Sequence, residues 1–184
     1  MSWMGLNFNN GYLEKNNKKT PKLLIVGSAR HGKDSMAEIL HKSFGLKYIG
    51  SSQACADIFI YEELKDKYGY KTPEECFEDR VNHREEWHNM IADYNKDDKA
   101  RLGKEILKES DCYVGMRAGD EIKECLRQGI FDLIIWVDAS ERIEPEGPES
   151  FNIDISCADI IIQNNGTEEE FRNKVIKLGK TLFK

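Results

Sequence analysis

The amino-acid sequence predicts an α/β protein with a three-layer α/β/α architecture, in which helices cover both faces of a five-stranded parallel sheet. Two observations predict this fold class. Short apolar runs alternate with helical patterns, and strands joined through helices need crossover connections, which make them parallel. The first run is apolar and ends in glycine, which is typical of a strand buried on both faces of a sheet.

The predicted strands, in chain order, are KLLIVG (22–27), KYIGSS (47–52), CYVGM (112–116), FDLIIWVDA (131–139) and ADIIIQNNGT (158–167). The fourth is the most apolar of them, and the fifth leaves the sheet through an Asn-Gly turn. Between these two lies SERIEPEGPESFNI (140–153), which is dense in glutamate and holds two prolines and a glycine. We expect this segment to be a loop that contributes nothing to the core.

Helical patterns fill the intervals between the strands. The pattern after the first strand covers DSMAEILHKSFG (34–45), and the region from about residue 52 to 110 is helical and charged. In that region Thr72 precedes Pro73, which predicts a capped helix start, and residues 74–95 read as one helix. The remaining predicted helices end near Gly69, begin at Asp97 or Asp98, and cover AGDEIKECLRQG (118–129) and EEEFRNKVIKLGKTLF (168–183).

Length and composition limit the class of protein. A chain of 184 residues suits one globular domain, predicted at residues 21–184, and we expect residues 1–20 to be a poorly ordered leader. The net charge of −6 argues against a nucleic-acid partner, and no apolar run is long enough to span a membrane. Five scattered cysteines favour a reducing compartment, so we predict a cytoplasmic protein.

The loop after the first strand carries a phosphate-binding motif. Its sequence GSARHGK (27–33) fits G-x-x-x-x-G-K, with the strand before it and the helix after it that this motif requires. The two glycines let successive N–H groups turn inward around an anion, and the helix adds its positive end. The alternative is a chance strand–turn–helix with two glycines. The predicted ATP-binding residues of this segment are Gly27, Ser28, Ala29, Arg30, His31, Gly32, Lys33, Asp34 and Ser35.

Asp34 stands where the usual loop has a serine or threonine that ligates magnesium. A carboxylate is also a hard oxygen ligand, so Asp34 could reach the metal directly or through a water molecule. Alternatively, Asp34 could only cap the helix, and the hydroxyl of Ser35 could serve the metal instead. Asp138, near the end of the fourth strand, could hold magnesium through water or cap the loop that follows.

The segments GSARHGKDS, VGMRAGDEI, IIWVDAS and ADIIIQNNGTEEEF together resemble the bacteriophage deoxynucleoside monophosphate kinases, members of the P-loop nucleoside monophosphate kinase group. The family loop commonly reads Gly-Lys-Asp-Thr, to which Lys33, Asp34 and Ser35 are similar. Because animal phosphomevalonate kinases carry a similar Gly-Lys-Asp, that tripeptide alone does not identify the substrate. The similarity covers about residues 22–50 and 111–183 and is loose in the helices between them.

Two further stretches carry the resemblance. Arg117 to Glu121 is similar to the family pattern Arg-x-x-Asn-Glu, although Asp120 stands at the position of the family's Asn. Residues 159–167 resemble the family's Asp-x-x-Ile-x-Asn-x-Gly-Thr. The resemblance implies ATP and Mg²⁺ as cofactors and an acceptor site with Arg117 and Glu121. It also implies a place for Asn164 near the donor adenine, although Asn164 belongs first of all to a turn signal.

An acidic chain that transfers a phosphoryl group between two anionic nucleotides must concentrate its cations at the site. On the predicted helix 74–95, Arg80 and Arg84 are four residues apart and so lie on one face, with Trp87 nearby. Such an arginine pair could hold a monophosphate while the ring stacks on a base, which predicts acceptor binding. The alternative is a solvated helix whose arginines pair with neighbouring glutamates.

Two more arginines follow predicted strands. Arg117 lies just past the end of the third strand, where ligands bind in open α/β sheets. Arg142 lies in the loop after the fourth strand, residues 140–152, which in this kinase group is a lid; we call it the lid loop. From there Arg142 could reach the transferring phosphate once the lid closes, or the segment could be an ordinary surface loop. Lys33, Arg117 and Arg142 are the predicted catalytic residues.

The leading prediction is an enzyme that uses ATP and Mg²⁺ to convert a (deoxy)nucleoside monophosphate to its diphosphate, by positioning and electrostatics without a strong general base. Its partners would be these small nucleotides, and a homodimer stays open. One alternative is a P-loop kinase for another acceptor, such as a modified base in DNA or a non-nucleotide phosphate. The other is a nucleotide-binding module in which Asp34 marks lost catalysis.

Overall fold

The structure, a computed structural model, describes the backbone of residues 6–8 and residues 20–183. Its strands are β1 (Leu6–Phe8), β2 (Leu23–Val26), β3 (Tyr48–Gly50), β4 (Cys112–Val114), β5 (Leu133–Asp138) and β6 (Ile160–Gln163). They form one sheet in the order β1-β6-β5-β2-β4-β3. The five predicted strands are all present and all parallel, which confirms the α/β class and the parallel sheet.

The sheet has a sixth strand that the sequence analysis did not predict. Leu6–Phe8 pairs antiparallel with β6, with Leu6 opposite Ile162 and Phe8 opposite Ile160. The structure therefore departs from the predicted poorly ordered leader at these three residues. Residues 1–5 and 9–19 of that leader lie outside the described residues, and their predicted disorder stays a prediction.

The helices are α1 (Lys33–Phe44), α2 (Ser51–Cys55), α3 (Tyr61–Tyr68), α4 (Pro73–Asp79), α5 (Arg84–Tyr94), α6 (Arg101–Glu109), α7 (Gly119–Gln128) and α8 (Glu168–Leu182). A π-helical segment, Ala56–Ile60, joins α2 to α3, and 3₁₀ turns occur at Arg80–Asn82 and Ile155–Cys157. Among the described residues, no helix combines the length and the apolar character that crossing a membrane would need. The cytoplasmic location stays a prediction.

Two hydrophobic cores, one on each face of the sheet, produce the three layers. Alternate residues of the buried strands point to opposite faces: Leu23 and Ile25 belong to one core, Leu24 and Val26 to the other. The first core is closed by α1 and α8, and the second by the helices between β3 and β4 together with α7. Both cores need strands that are apolar on both faces, which is why β2 and β5 were recognisable in the sequence.

The helix predicted over residues 74–95 is broken in the middle. After α4 the chain makes the 3₁₀ turn Arg80–Asn82, and His83 leaves helical geometry at φ −128° and ψ 31°. The Asp79 carboxylate stabilises this turn. It accepts hydrogen bonds from Tyr70 Oη at 2.6 Å and from Asn82 Nδ2 at 2.6 Å, and it lies 3.0 Å from His83 Nε2. Such local side-chain bonds compete with a continuing helix.

The next helix begins later than predicted. Instead of starting at Asp97 or Asp98, α6 starts at Arg101, because the Asp98 carboxylate accepts the Ala100 N–H in a turn before it. Asn95 then serves the first turn: its Oδ1 accepts the Leu102 N–H at 3.1 Å. The Asp98 carboxylate therefore satisfies a backbone N–H just before α6, and the Asn95 amide oxygen satisfies one in its first turn.

The lid loop is partly core, which corrects the expectation that this segment contributes nothing to it. Phe151 and, just past the loop, Ile153 are 8% and 6% exposed, and the Phe151 ring meets Trp136 of β5 edge to face with 5.4 Å between ring centroids. The glutamate, proline and glycine residues before them remain on the surface. The two apolar residues thus fasten the far end of a polar loop to the sheet.

We expect Asn95→Ala to lower the free energy of unfolding by about 1–3 kcal/mol. Asn95 is 1% exposed, and its loss strands the Leu102 N–H and the Glu121 carboxylate, which accepts from Asn95 Nδ2 at 2.8 Å. Urea denaturation measures the change. The control Asn89→Ala, exposed in α5, should change stability by less than about 0.5 kcal/mol. Equal stability of the two variants would contradict a structural role for Asn95.

Candidate phosphate-binding site

The loop 27–33, called the phosphate loop below, lies at the carboxyl edge of the sheet. It connects β2 to α1, and β2 has β4 on one side and β5 on the other. The chain builds β3 and β4 on the first side before it crosses to β5 and β6 on the second. Such a reversal of strand order opens a crevice at the strand ends, which is where open α/β sheets bind ligands.

The phosphate loop depends on two glycines that neighbouring strands approach closely. Gly27 has φ 141°, and a Cβ there would collide with the Val137 carbonyl oxygen. Gly32 has φ 104°, is the N-cap of α1, and would place a Cβ 2.5 Å from Asn164 Nδ2. Arg30 also has a positive φ of 62°. With these left-handed positions the backbone curls, so that N–H groups of the loop can converge on an anion.

Lys33 is folded back over the phosphate loop. Its side chain is largely buried, and its Nζ donates to the Ser28 carbonyl oxygen at 2.8 Å. Burial lowers the pKa of Lys33; Asp34 and Glu146 counteract this shift, while Arg117 adds to it. A buried ammonium held by a single carbonyl has remaining donors, so this lysine can offer charge to an anion at the loop.

A carboxylate from the lid loop already occupies the phosphate loop. Glu146 Oε2 accepts the Ala29 N–H at 2.6 Å, and Glu146 Oε1 accepts from Arg117 Nη1 at 2.8 Å. The Glu146 backbone N–H also donates to Ser28 Oγ at 3.3 Å. Glu146 thus brings an anion to the loop amide and to an arginine at the end of β4 at the same time. One N–H group of the phosphate loop thus donates to a carboxylate of the chain itself.

His31 ties the phosphate loop to the base of the lid loop. Its ring is 2% exposed; Nδ1 accepts the Ala139 N–H at 3.1 Å, and Nε2 faces the Ile143 carbonyl oxygen at 3.1 Å. Because an N–H group points at Nδ1, the proton is on Nε2, which donates to the carbonyl. One imidazole therefore fixes both the start and the first turn of the lid loop.

Asn164 and Arg142 complete this connection. Asn164 lies in the turn after β6, and its side-chain Nδ2 donates to the His31 carbonyl oxygen at 2.9 Å. The backbone carbonyl oxygen of Asn164 accepts from Arg142 Nε at 2.5 Å. The structure thus brings together three predicted site residues around the outer end of the phosphate loop. Arg142 lies on the lid side of this cluster and is exposed, so its guanidinium is available to a ligand above the loop.

The predicted metal ligands are arranged in two places. Asp34 and Ser35 are exposed in the first turn of α1, whose N-cap residue is Gly32, so Asp34 lies inside the helix and is not its N-cap. Asp138 caps the lid loop instead, because its Oδ1 accepts the Ser140 N–H at 3.0 Å. Within the described residues no three His, Cys, Asp or Glu side chains form a metal cluster. The donor set fits Mg²⁺ that is shared with phosphate oxygens, the usual arrangement for this ion.

The predicted acceptor group of Arg80, Arg84 and Trp87 is not assembled. The break at residues 80–83 removes the shared helical face, and Arg80 lies 3.7 Å above the Phe77 ring with Nη1 bonded to the Phe77 carbonyl. Trp87 is 4% exposed in the core, so its ring is not available for stacking on a base. Arg84 lines a shallow cavity of about 520 Å³ that includes no phosphate-loop residue. That cavity is lined by acidic and basic side chains together, among them the ion pair of Lys67 and Glu86.

Arg117 and Glu121 do lie at the carboxyl edge of the sheet. Arg117 Nη1 also donates to the Ser150 carbonyl oxygen at 3.2 Å, so two groups of the lid loop hold the same guanidinium nitrogen. Glu121, in α7, accepts from Asn95 at 2.8 Å. Burial raises the pKa of Glu121, and the Asn95 hydrogen bond works against that shift. The half-buried Glu121 carboxyl could accept a hydrogen bond from an N–H group of a ligand.

Sequence reasoning did not identify Glu146 or Asn95. The lid loop holds four glutamates, and no pattern in the sequence distinguishes one of them from the others. Asn95 appeared only as the last residue of a helix. No local signal marks either residue, because both owe their role to partners far away in the sequence, at Ala29 and Glu121.

No protein-family model and no curated protein matches this chain. The resemblance to the phage deoxynucleoside monophosphate kinases therefore depends on the motifs themselves and on the geometry of the loop.

We expect the free energy of unfolding of Glu121→Gln, taken relative to that of the wild type, to increase as pH rises. A folded-state pKa above the ordinary value of 4.5 means that Glu121 favours folding below that value, and this contribution is lost as pH rises through the raised pKa. Urea denaturation at a series of pH values from about 4 to 8 measures the difference.

Asp120→Asn is the matched control for this pH dependence. Burial works to raise the pKa of Asp120, but Lys99 outweighs it and holds the pKa below the ordinary value. The contribution of Asp120 is therefore lost as pH falls, which is the opposite sign. A pH-independent difference between Glu121→Gln and the wild type would contradict the raised pKa.

Proposed function

We propose that this protein is a P-loop kinase that transfers a phosphoryl group from ATP, with Mg²⁺, to a (deoxy)nucleoside monophosphate. The observation that carries the proposal is the phosphate loop itself. It has left-handed glycines at both ends, a lysine at the start of α1, and an N–H group that donates to a carboxylate oxygen at 2.6 Å. These are the components of an anion site at the switch point of an α/β sheet.

The chain's own cations would neutralise the charge of two nucleotides. Lys33 lies inside the phosphate loop, Arg117 reaches the same carboxylate as that loop, and Arg142 lies at the base of the lid loop. A phosphoryl transfer needs positioned positive charge more than it needs a base or a covalent intermediate. Bound Mg²⁺ would supply further charge neutralisation, with Asp34 and Ser35 as the nearest hard oxygen ligands.

The acceptor would lie between the end of β4 and α7. Arg117 provides charge for a monophosphate and Glu121 a hydrogen-bond acceptor for a base, in place of the arginine pair and Trp87 predicted from the sequence. The helices between β3 and β4 form the wall of this side through Asn95, which holds Glu121. Residues 52–110, which supply these helices, would then be the acceptor-binding region of the proposed kinase.

One observation favours a second candidate, a nucleotide-binding module without transfer. Glu146 keeps the Ala29 N–H and the Arg117 guanidinium engaged within the chain, so both groups would be silent unless Glu146 moves. Single-turnover assays with ATP, Mg²⁺ and a panel of deoxynucleoside and nucleoside monophosphates separate the candidates. Diphosphate product from one acceptor supports the kinase, whereas tight ATP binding without product from any acceptor supports the module.

We expect Lys33→Ala to lower the rate of phosphoryl transfer by about 10²–10³-fold, because it removes the mobile charge at the phosphate loop. Product formation with the best acceptor of the panel measures the loss, and circular dichroism checks that the fold is intact. The matched control is Lys42→Ala, an exposed lysine later in α1 that pairs with Glu38. Full activity of Lys33→Ala would refute the proposed role of the phosphate loop.

A further inference from the structure

We propose that Glu146 is a displaceable internal anion that gates the site, so that donor phosphates replace its carboxylate on the phosphate loop and release Arg117 for the acceptor. The inference rests on the proposed function for the identity of the ligands. It adds an order to their binding: the donor prepares the acceptor side. The contacts, the surroundings of the carboxylate and the anchoring of the lid loop each support this gate.

The contacts place Glu146 in direct competition with phosphate. The Ala29 N–H is a single donor, and at 2.6 Å it is fully engaged by Glu146 Oε2. A phosphate oxygen that takes this N–H must therefore displace the carboxylate. The other oxygen of the same carboxylate holds Arg117 at 2.8 Å, so displacement at the loop also breaks the ion pair at the end of β4.

The surroundings of Glu146 make it a stand-in for an anionic ligand. Burial works to raise the pKa of its carboxyl, yet Arg117, the Ala29 N–H and the nearby Lys33 together hold that pKa below the ordinary value. The carboxylate is thus charged and surrounded by the donors that a phosphate would use. With its side chain 24% exposed, it is also open to replacement from solvent.

The lid loop is built so that its middle can move while its ends stay in place. The start of the loop is held by the hydrogen bonds of His31 with Ala139 and Ile143. Its end is held by the packing of Phe151 against Trp136. Between these anchors, residues 144–150 carry prolines and a glycine and are exposed apart from Glu146 itself. The weak bond from the Glu146 N–H to Ser28, at 3.3 Å, is the main backbone tie of this stretch to the phosphate loop.

Release of Arg117 couples the two ligands energetically. While Glu146 holds the guanidinium, a monophosphate acceptor must compete with an internal carboxylate for the same cation. Once donor phosphates have displaced Glu146, that competition ends, so the donor raises acceptor affinity. By linkage the acceptor raises donor affinity by the same factor.

Calorimetric titration with inorganic pyrophosphate and Mg²⁺ tests the first step. Glu146→Gln should bind pyrophosphate about tenfold more tightly than the wild type, because a neutral amide competes less well for the Ala29 N–H and for Arg117. Glu144→Gln removes the same charge from an exposed position in the same loop and should leave affinity within about twofold of the wild type. If pyrophosphate displaces the carboxylate, Glu146→Ala should also bind pyrophosphate more tightly than the wild type, as Glu146→Gln does.

A second titration tests the coupling. The probe is the monophosphate of the same panel that the wild type binds most tightly in calorimetry, with and without saturating pyrophosphate. In the wild type and in Glu144→Gln, pyrophosphate should raise acceptor affinity. In Glu146→Gln the acceptor should bind more tightly without pyrophosphate, and the coupling should fall toward one, because Arg117 is no longer paired with a carboxylate.

The outcomes distinguish the gate from the kinase. Equal pyrophosphate affinity of Glu146→Gln and the wild type overturns the gate, even if the wild type transfers phosphate. Tighter pyrophosphate binding with reduced coupling, but no diphosphate product from any acceptor, keeps the gate and overturns the kinase. Failure of both proteins to bind pyrophosphate or ATP overturns both proposals. An equal gain in Glu144→Gln would assign the effect to general charge and overturn the gate.

Discussion

The close approach of the phosphate loop to the ends of β5 and β6 is the constraint on which the rest of the site depends. Gly27 lies against the Val137 carbonyl and Gly32 against the Asn164 amide, so the loop has no room for side chains at either end. This contact fixes where α1 starts, and with it the position of Lys33. It also puts His31 within reach of the lid loop, so that the phosphate loop and the lid loop share one anchor.

Much of the fold could be predicted because its signals are local. The strands β2 and β5 are apolar on both faces, the start of α4 is capped by Thr72, and the phosphate loop carries its motif in seven consecutive residues. The failures all involve partners distant in the chain or side-chain bonds that oppose a pattern. The bonds of Asp79 break a helix whose periodicity looked continuous, and Phe151 is buried by the Trp136 ring, 15 residues earlier.

The candidate site divides in the same way. Residues 27–35 could be placed from the motif, whereas the acceptor side was drawn from spacing on a helix that does not exist as one unit. Trp87 fills the core, and the groups that reach the carboxyl edge are Arg117 and Glu121, which the resemblance had indicated. Glu146 could not be predicted from the sequence, because nothing in a glutamate-rich loop indicates which glutamate will accept the Ala29 N–H.

The short strand at Leu6–Phe8 has a consequence for how copies of this protein could associate. By pairing with β6 it satisfies backbone groups that would otherwise offer a template for another chain, and its own antiparallel direction ends the parallel series. At the opposite border, β3 offers only Tyr48–Gly50, too short a run for strong pairing. Among the described residues, joining two sheets edge to edge would have to use the three-residue strands β1 and β3, which are short for stable pairing.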